Sequence, residues 1–289
     1  EINYLQTQDA LILDILQTNN WLRPVYFANT VSSSSQLNLQ DYFRFEGKAY
    51  RVIPKKYAAG PFGYVDPEIA GERFRNFRFR KWDDEDVYFD ENIRRMRGNY
   101  RYGFTQLADT YIAMDEADSA GYWLKFGEKV IPFRDDETEF NTRVLYAYRY
   151  SNVGLNEDAV RVAGSSEAKL FGLISKYFEQ YNEIQNQLTS MNDDANEAKR
   201  NAQLSKRNRI VQQMNALAED RQVVLSNIGD NLNLLAIVQN IYFNNEAEDR
   251  ALEVKTRFSE ITKGTFGDQI PLFDTAAESN RQMSAFGLN

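Results

Sequence analysis

The sequence of 289 residues contains no histidine and no cysteine. Without imidazole or thiol there is no Ser-His-Asp or Cys-His nucleophile, no ordinary nitrogen and sulfur zinc site, no haem or iron-sulfur ligation and no disulfide. Chemistry by carboxylate, Lys, Tyr, Ser and Thr remains open. Cations are in deficit: 34 Lys plus Arg stand against 42 Asp plus Glu, a formal charge of -8. That balance argues against a nucleic-acid partner, whose sequence-independent affinity comes from cations neutralising phosphates. Long apolar runs are missing as well. The most apolar stretch, residues 232–243, is interrupted by Gln239 and Asn240 and falls short of a membrane span. The chain opens on Glu1 with neither a basic n-region nor an h-region, so it is read as a fragment or processed chain without a signal peptide. Phosphate loops of the forms GxGxxG and GxxxxGK[ST] do not occur. What is present, 43% hydrophobic and 13% aromatic residues, is ample for a folded core.

The pattern predicts a mainly α chain, with tetratricopeptide-like helical hairpins of the α-solenoid kind preceded by a small mixed α/β module. Residues 1–89 form the module. Residues 9–16 carry apolar positions at helical spacing, Asn19 and Asn20 stop that helix, and Pro24 opens the extended run Val25-Tyr26-Phe27-Ala28. Residues 37–45 read as a short helix, residues 49–53 as a strand ended by Pro54, and residues 60–71 as a Gly- and Pro-rich loop. From Asp90, read as a helix N-cap, residues 90–263 form the helical domain. In its clearest hairpin Phe104, Leu107, Ala108 and Tyr111 lie on a first helix, and Ala120, Leu124 and Gly127 on a second that ends before Pro132. Large residues on one helix facing small ones on the other is the tetratricopeptide pattern. A poorer copy places Tyr146, Ala147 and Tyr150 opposite Ala159 and Ala163. Two long helices then fill residues 166–222 with a break expected at residues 191–195. A last hairpin joins residues 231–243 to 247–261, and residues 264–289 form a tail without periodicity.

Residues 73–82 interleave five cations with four aromatics. Arg73, Arg75, Arg78, Arg80, Lys81 and Trp82 are therefore candidates for contact with an anionic ligand or a membrane-proximal surface. The competing reading turns Phe74, Phe77 and Phe79 inward and leaves the cations solvated, balanced by Asp83, Asp84, Glu85 and Asp86. Asp14, Asp66, Asp90 and Glu91 are available for glycan hydrolysis by paired carboxylates, but no spacing selects two of them. No catalytic residue, metal or cofactor is assigned. Tyrosines at the hairpin spacings are read as core.

Leu13-Asp14-Ile15, Asn20-Trp21, Arg23-Pro24-Val25-Tyr26-Phe27-Ala28, Tyr42, Glu46-Gly47, Tyr50-Arg51-Val52-Ile53-Pro54, and Val87-Tyr88-Phe89-Asp90-Glu91-Asn92 with Arg95-Met96 resemble the C-terminal region of a Bacteroidota multi-pass membrane family of unknown function. Its eukaryotic relatives are protein O-mannosyltransferases. The resemblance covers about residues 5–135 in order. It implies a GT-C type parent whose lipid-linked donor site and catalytic acid lie in an amino-terminal transmembrane half, so no catalytic residue transfers to this chain. The implied place is the extracytoplasmic, periplasmic side of the inner membrane. The implied work is contact with an acceptor polypeptide, another protein, or the chain's own transmembrane half. A carboxylate enzyme acting on glycan and a structural spacer in a cell-envelope assembly are the alternatives.

Overall fold

The computed structural model describes residues 6–57, 63–134, 140–201, 203–267, 270–285 and 287. Positions 60–62 of the expected Gly/Pro loop, and 268, 269, 286, 288 and 289 of the expected tail, lie outside the described residues. The chain divides into two compact units, Glu1–Glu139 and Phe140–Asn289. The fold is mainly α with a small four-stranded mixed sheet near the amino terminus. The change of pattern at Asp90 lies inside the first unit.

The first unit begins with helix α1 (Thr7–Asn19). Asn20 ends it in the left-handed region at φ 43, and the Asn19 amide closes on the backbone of Arg23, donating to its carbonyl at 2.6 Å and accepting from its N–H at 3.1 Å. Strands β1 (Val25–Ala28), β2 (Phe43–Phe45), β3 (Ala49–Val52) and β4 (Tyr64–Val65) follow. They lie in the order β1-β3-β2-β4, with β2 and β4 parallel and the other pairs antiparallel. Residues 37–45 do not form the expected helix: one 3-10 turn at Gln40–Tyr42 leads into β2. The two-residue alternation that buries Phe43 and Phe45 on one side overrides the weak helical spacing.

The expected loop at 60–71 instead holds β4 and the first residues of helix α2 (Pro67–Asn76). Asp66 caps α2 by accepting from the Ile69 N–H at 3.1 Å, and Pro67 occupies its first turn, where a missing N–H costs nothing. Helices α3 (Glu91–Ala113) and α4 (Ala117–Val130) make the hairpin read from the sequence. Asp90 caps α3 through the Ile93 N–H at 2.8 Å. Phe27, Phe43, Phe45, Tyr50 and Val52 of the sheet join Phe74, Phe104, Leu107 and Trp123 in one core. Two helix glycines are required by close packing. A Cβ at Gly71 would come within 2.7 Å of the Trp123 ring, and one at Gly103 within 2.7 Å of Phe74.

The second unit contains α5 (Phe140–Asn152), α6 (Asn156–Arg200), α7 (Leu204–Asn244), α8 (Glu248–Thr262) and α9 (Ala276–Ala285). Helices α6 and α7 pack as a long antiparallel hairpin that reverses between Arg200 and Leu204. The break expected at residues 191–195 is absent, and α6 runs through it for 45 residues. Asn and Asp cost a helix only about 0.5 kcal/mol each, and the buried Ala195 and Ala198 hold this part of α6 to its surroundings. Likewise α7 is one helix of 41 residues, serving both the long hairpin and the shorter α7–α8 hairpin. The tail contains a helix, α9, which packs on α7. Among the described residues no helix is long and apolar enough to cross a membrane.

Candidate functional site

The strand alternation that sends phenylalanines into the core sends polar residues to the other face. Tyr26 of β1 lies opposite Arg51 of β3, Arg51 opposite Arg44 of β2, and Arg44 opposite Tyr64 of β4. These four residues therefore form one row across the sheet. Glu46, two residues beyond Arg44 and only 6% exposed, anchors the row. Arg44 donates to Glu46 Oε1 from Nη2 at 2.5 Å and from Nε at 3.1 Å. The Tyr26 hydroxyl donates to Oε2 at 2.9 Å. Arg51 approaches Oε1 at 3.9 Å, and Arg73 reaches Oε2 at 3.8 Å from α2.

A buried carboxylate is stable only with strong partners, and Arg44 with Tyr26 supplies them. Arg51 and Arg73 are different: their side chains are 37% and 49% exposed, and both stand beyond hydrogen-bonding distance from Glu46. Three guanidiniums thus share one carboxylate, and the two outer ones keep donors directed to solvent. Burial, followed by the bond to Glu46, raises the Tyr26 pKa above its ordinary value, so the hydroxyl holds its proton. At the β4 end of the row Tyr64 stacks on Tyr57 at 4.3 Å, nearly parallel, with the Lys55 ammonium 4.7 Å from the Tyr57 ring.

Among the six cation-run candidates the structure brings only Arg73 to this cluster. Phe74 is fully buried, Phe77 and Phe79 are half-buried, and Arg73, Arg75, Arg78, Arg80 and Lys81 are exposed between them. Arg75 lies over the Trp123 ring at 4.9 Å and Lys81 pairs with Asp84 at 3.7 Å. Trp82 packs edge-on against Phe79 and Tyr100. The segment after it and the residues after α4 are fastened by the buried Arg97 and Arg101 and the half-buried Arg134, which the sequence did not single out. Arg97 donates to the carbonyls of Trp82 and Pro132, Arg101 to those of Ile131 and Pro132, and Arg134 to those of Asp84 and Glu85.

The hairpin residues are packing residues. Phe104, Leu107, Ala108, Ala120 and Leu124 are fully buried, Gly127 is buried, and Tyr111 and Pro132 are half-buried. Of the four candidate acids, Asp66 and Asp90 are occupied as helix caps and Glu91 pairs with Arg95 at 3.1 Å. Asp14 is exposed on α1. Among the described residues no three acids are grouped to hold a metal ion.

The second unit repeats the chemistry of Glu46 with another outcome. Glu167 of α6 accepts from the Tyr242 hydroxyl of α7 at 2.7 Å and pairs with Arg250 and Arg257 of α8 at 3.2 Å and 3.6 Å. Arg250 also donates to the Tyr242 hydroxyl at 2.8 Å, and Arg257 covers the Phe171 ring at 4.4 Å. Each cation here has a second partner, and the cluster ties three helices together. Burial first, then Glu167, drives the Tyr242 pKa far upward.

The Glu46 cluster was missed because it gathers residues from three strands and a helix. Its one local signal is the placing of Tyr26, Arg44 and Arg51 at the strand positions between the core-facing residues Val25, Phe27, Phe43, Phe45, Tyr50 and Val52. The domain family described as TMEM260-associated domain 2 matches residues 1–69. That span contains α1, the four strands, and Tyr26, Arg44, Glu46 and Arg51, while Arg73 lies beyond it. The match is compatible with a TMEM260-like, O-mannosyltransferase-like family and consistent with a domain of a membrane glycosyltransferase-like protein. Curated proteins and solved structures give no match.

Proposed function

We propose that this chain is a non-catalytic contact domain of a membrane glycosyltransferase-like protein, and that the polar face of its sheet receives an acidic segment of an acceptor polypeptide. The observation that carries this reading is the convergence of Arg51 and Arg73, each half-exposed, on a carboxylate already neutralised by Arg44. Guanidiniums bind carboxylates through paired N–H donors, and the exposed face of Tyr26 supplies an aromatic surface beside them. Glu46 is fastened within the cluster, which suits a scaffold rather than an acid that exchanges protons with substrate. In the same reading the helical hairpins are of the tetratricopeptide type, the parent is a Bacteroidota multi-pass protein, and the domain stands on the extracytoplasmic side beside the membrane half that performs transfer.

The test is titration of the full chain with a synthetic peptide of alternating Glu and Ser. Replacing Arg51 and Arg73 together, Arg51→Gln with Arg73→Gln, should weaken binding at least tenfold, and added salt should weaken binding to the unaltered chain. Equal binding by both proteins would remove the sheet face from the proposal. Glycosyl transfer or hydrolysis by the isolated chain, lost on changing one or two acids, would overturn the non-catalytic reading.

A further inference from the structure

In the second unit one fully buried polar side chain is spent on reading another segment's backbone. Gln239 of α7 is 0% exposed, a position where an unpaired amide would be costly. Its Nε2 donates to the carbonyl of Phe273 at 2.8 Å and to that of Ala251 at 2.9 Å, while its Oε1 accepts from the Phe273 N–H at 2.8 Å. The amide thus acts on Phe273 as a neighbouring strand would, by pairing with main chain whatever the side chain. At the next residue of α7 and again one turn beyond it the recognition becomes specific for a carboxamide. Asn240 donates to Asn280 Oδ1 at 2.7 Å, and Asn244 and Asn280 exchange bonds of 2.9 Å and 3.1 Å. Leu272 and Met283 are the buried apolar anchors, and Lys255 pairs with Asp274 at 2.7 Å.

We propose that this face of α7 and α8 is a receptor for an extended-then-helical polypeptide segment of a partner, and that residues 270–285 occupy it in cis as a displaceable ligand. The bound segment defines what a partner must carry: an apolar residue before the paired backbone, an acid after it, a capped helix, and a carboxamide at the place of Asn280. The segment brings its own helix start, since Thr275 Oγ1 accepts from the Glu278 N–H at 3.3 Å and Glu278 Oε2 from the Asp274 N–H at 3.4 Å. The hydrogen bonds themselves do not oppose exchange, because the face forms equivalent bonds with a competing segment and the released segment bonds to water. Residues 263–267, after α8, form a turn with Lys263, Gly264 and Gly267 at positive φ, so the segment is not a continuation of α8.

The experiment uses the full chain and a fluorescent peptide of residues 270–285. Phe273→Pro in the chain removes the N–H that Gln239 accepts and loosens the cis segment, so the free peptide should bind this variant at least tenfold more tightly than the unaltered chain. Adding Gln239→Met, of similar volume but without an amide, should cancel that gain. Equal affinity for the unaltered and Phe273→Pro chains, or a gain that survives Gln239→Met, would overturn the proposal. A second measurement needs no variant: saturating unlabelled peptide should speed hydrogen exchange at the Phe273 N–H of the unaltered chain by at least tenfold, and unchanged protection would overturn the proposal as well. Tail-exchanged dimers without peptide binding would assign the face to a second copy and also overturn it.

Discussion

Glu46 and Glu167 are the same chemical device in two settings, each a shielded carboxylate held by a tyrosine hydroxyl and more than one arginine. In the second unit the arginines are saturated: Arg250 also bonds Tyr242 and Arg257 covers Phe171. In the first unit Arg44 and Tyr26 alone satisfy Glu46, and Arg51 and Arg73 stand near it with donors to spare. A carboxylate that joins three helices needs no surplus of cations, whereas one that holds two extra guanidiniums at a solvent-facing sheet keeps them apart and oriented. The difference separates a fastening from a contact surface.

The largest effect should come from removing the charge of Glu46. Breaking a buried ion pair on one side costs about 3–5 kcal/mol, but Arg51 and Arg73 are half in solvent, so Glu46→Gln should cost about 2–3 kcal/mol. Glu167→Gln should cost about 1 kcal/mol, since Arg250 and Arg257 are 46% and 45% exposed and retain other partners. The three tryptophans, Trp21, Trp82 and Trp123, all lie in the first unit. Urea unfolding followed by tryptophan fluorescence therefore reports Glu46→Gln, and far-ultraviolet circular dichroism reports Glu167→Gln mainly through the second unit. Equal losses would erase the distinction between the clusters.

Alkaline pH should sharpen it. Tyr26 and Tyr242 both have folded-state pKa values raised above the ordinary 10.0. The folded state therefore keeps a proton that the unfolded state gives up. Each contribution is complete below pH 10.0 and is lost as pH rises through 10.0 toward the folded value. Tyr242 is the more deeply buried, and its shift is the larger. Tyr242→Phe should flatten the loss of stability above that pH more than Tyr26→Phe does, as measured by thermal melts across the alkaline range. A larger effect from Tyr26→Phe would reverse the order.

What the sequence showed was local. Asp90 and Asn20 act within a turn of their own positions, and the burial of Phe104, Leu107, Ala108, Ala120 and Leu124 follows from the apolar spacing along two neighbouring helices, so these were legible. The run at residues 191–195 has the local propensity of a break, and the burial of Ala195 and Ala198 that overrides it is a tertiary property. Gln239 and Asn240 looked like interruptions of an apolar run, whereas they anchor the tail from the middle of α7. The candidate site was hidden for the same reason. Tyr26, Arg44, Glu46, Arg51 and Arg73 meet only through strand register and the placing of α2, and no local pattern encodes either.

The smallest expected effect is the most discriminating. Arg78 and Arg80 are exposed cations from the same run as Arg73, but neither is paired with Glu46. If positive charge alone drew an acidic segment, Arg78→Gln with Arg80→Gln would weaken the Glu/Ser peptide as much as Arg51→Gln with Arg73→Gln. If orientation by a shared carboxylate matters, the Arg78/Arg80 pair should change peptide affinity by less than about twofold at physiological salt, where charges more than about 8 Å from the ligand are largely screened. Its cost in stability should stay within about 0.5 kcal/mol, as for ordinary surface substitutions. The two double variants carry the same change in net charge, so any difference between them in peptide affinity belongs to geometry.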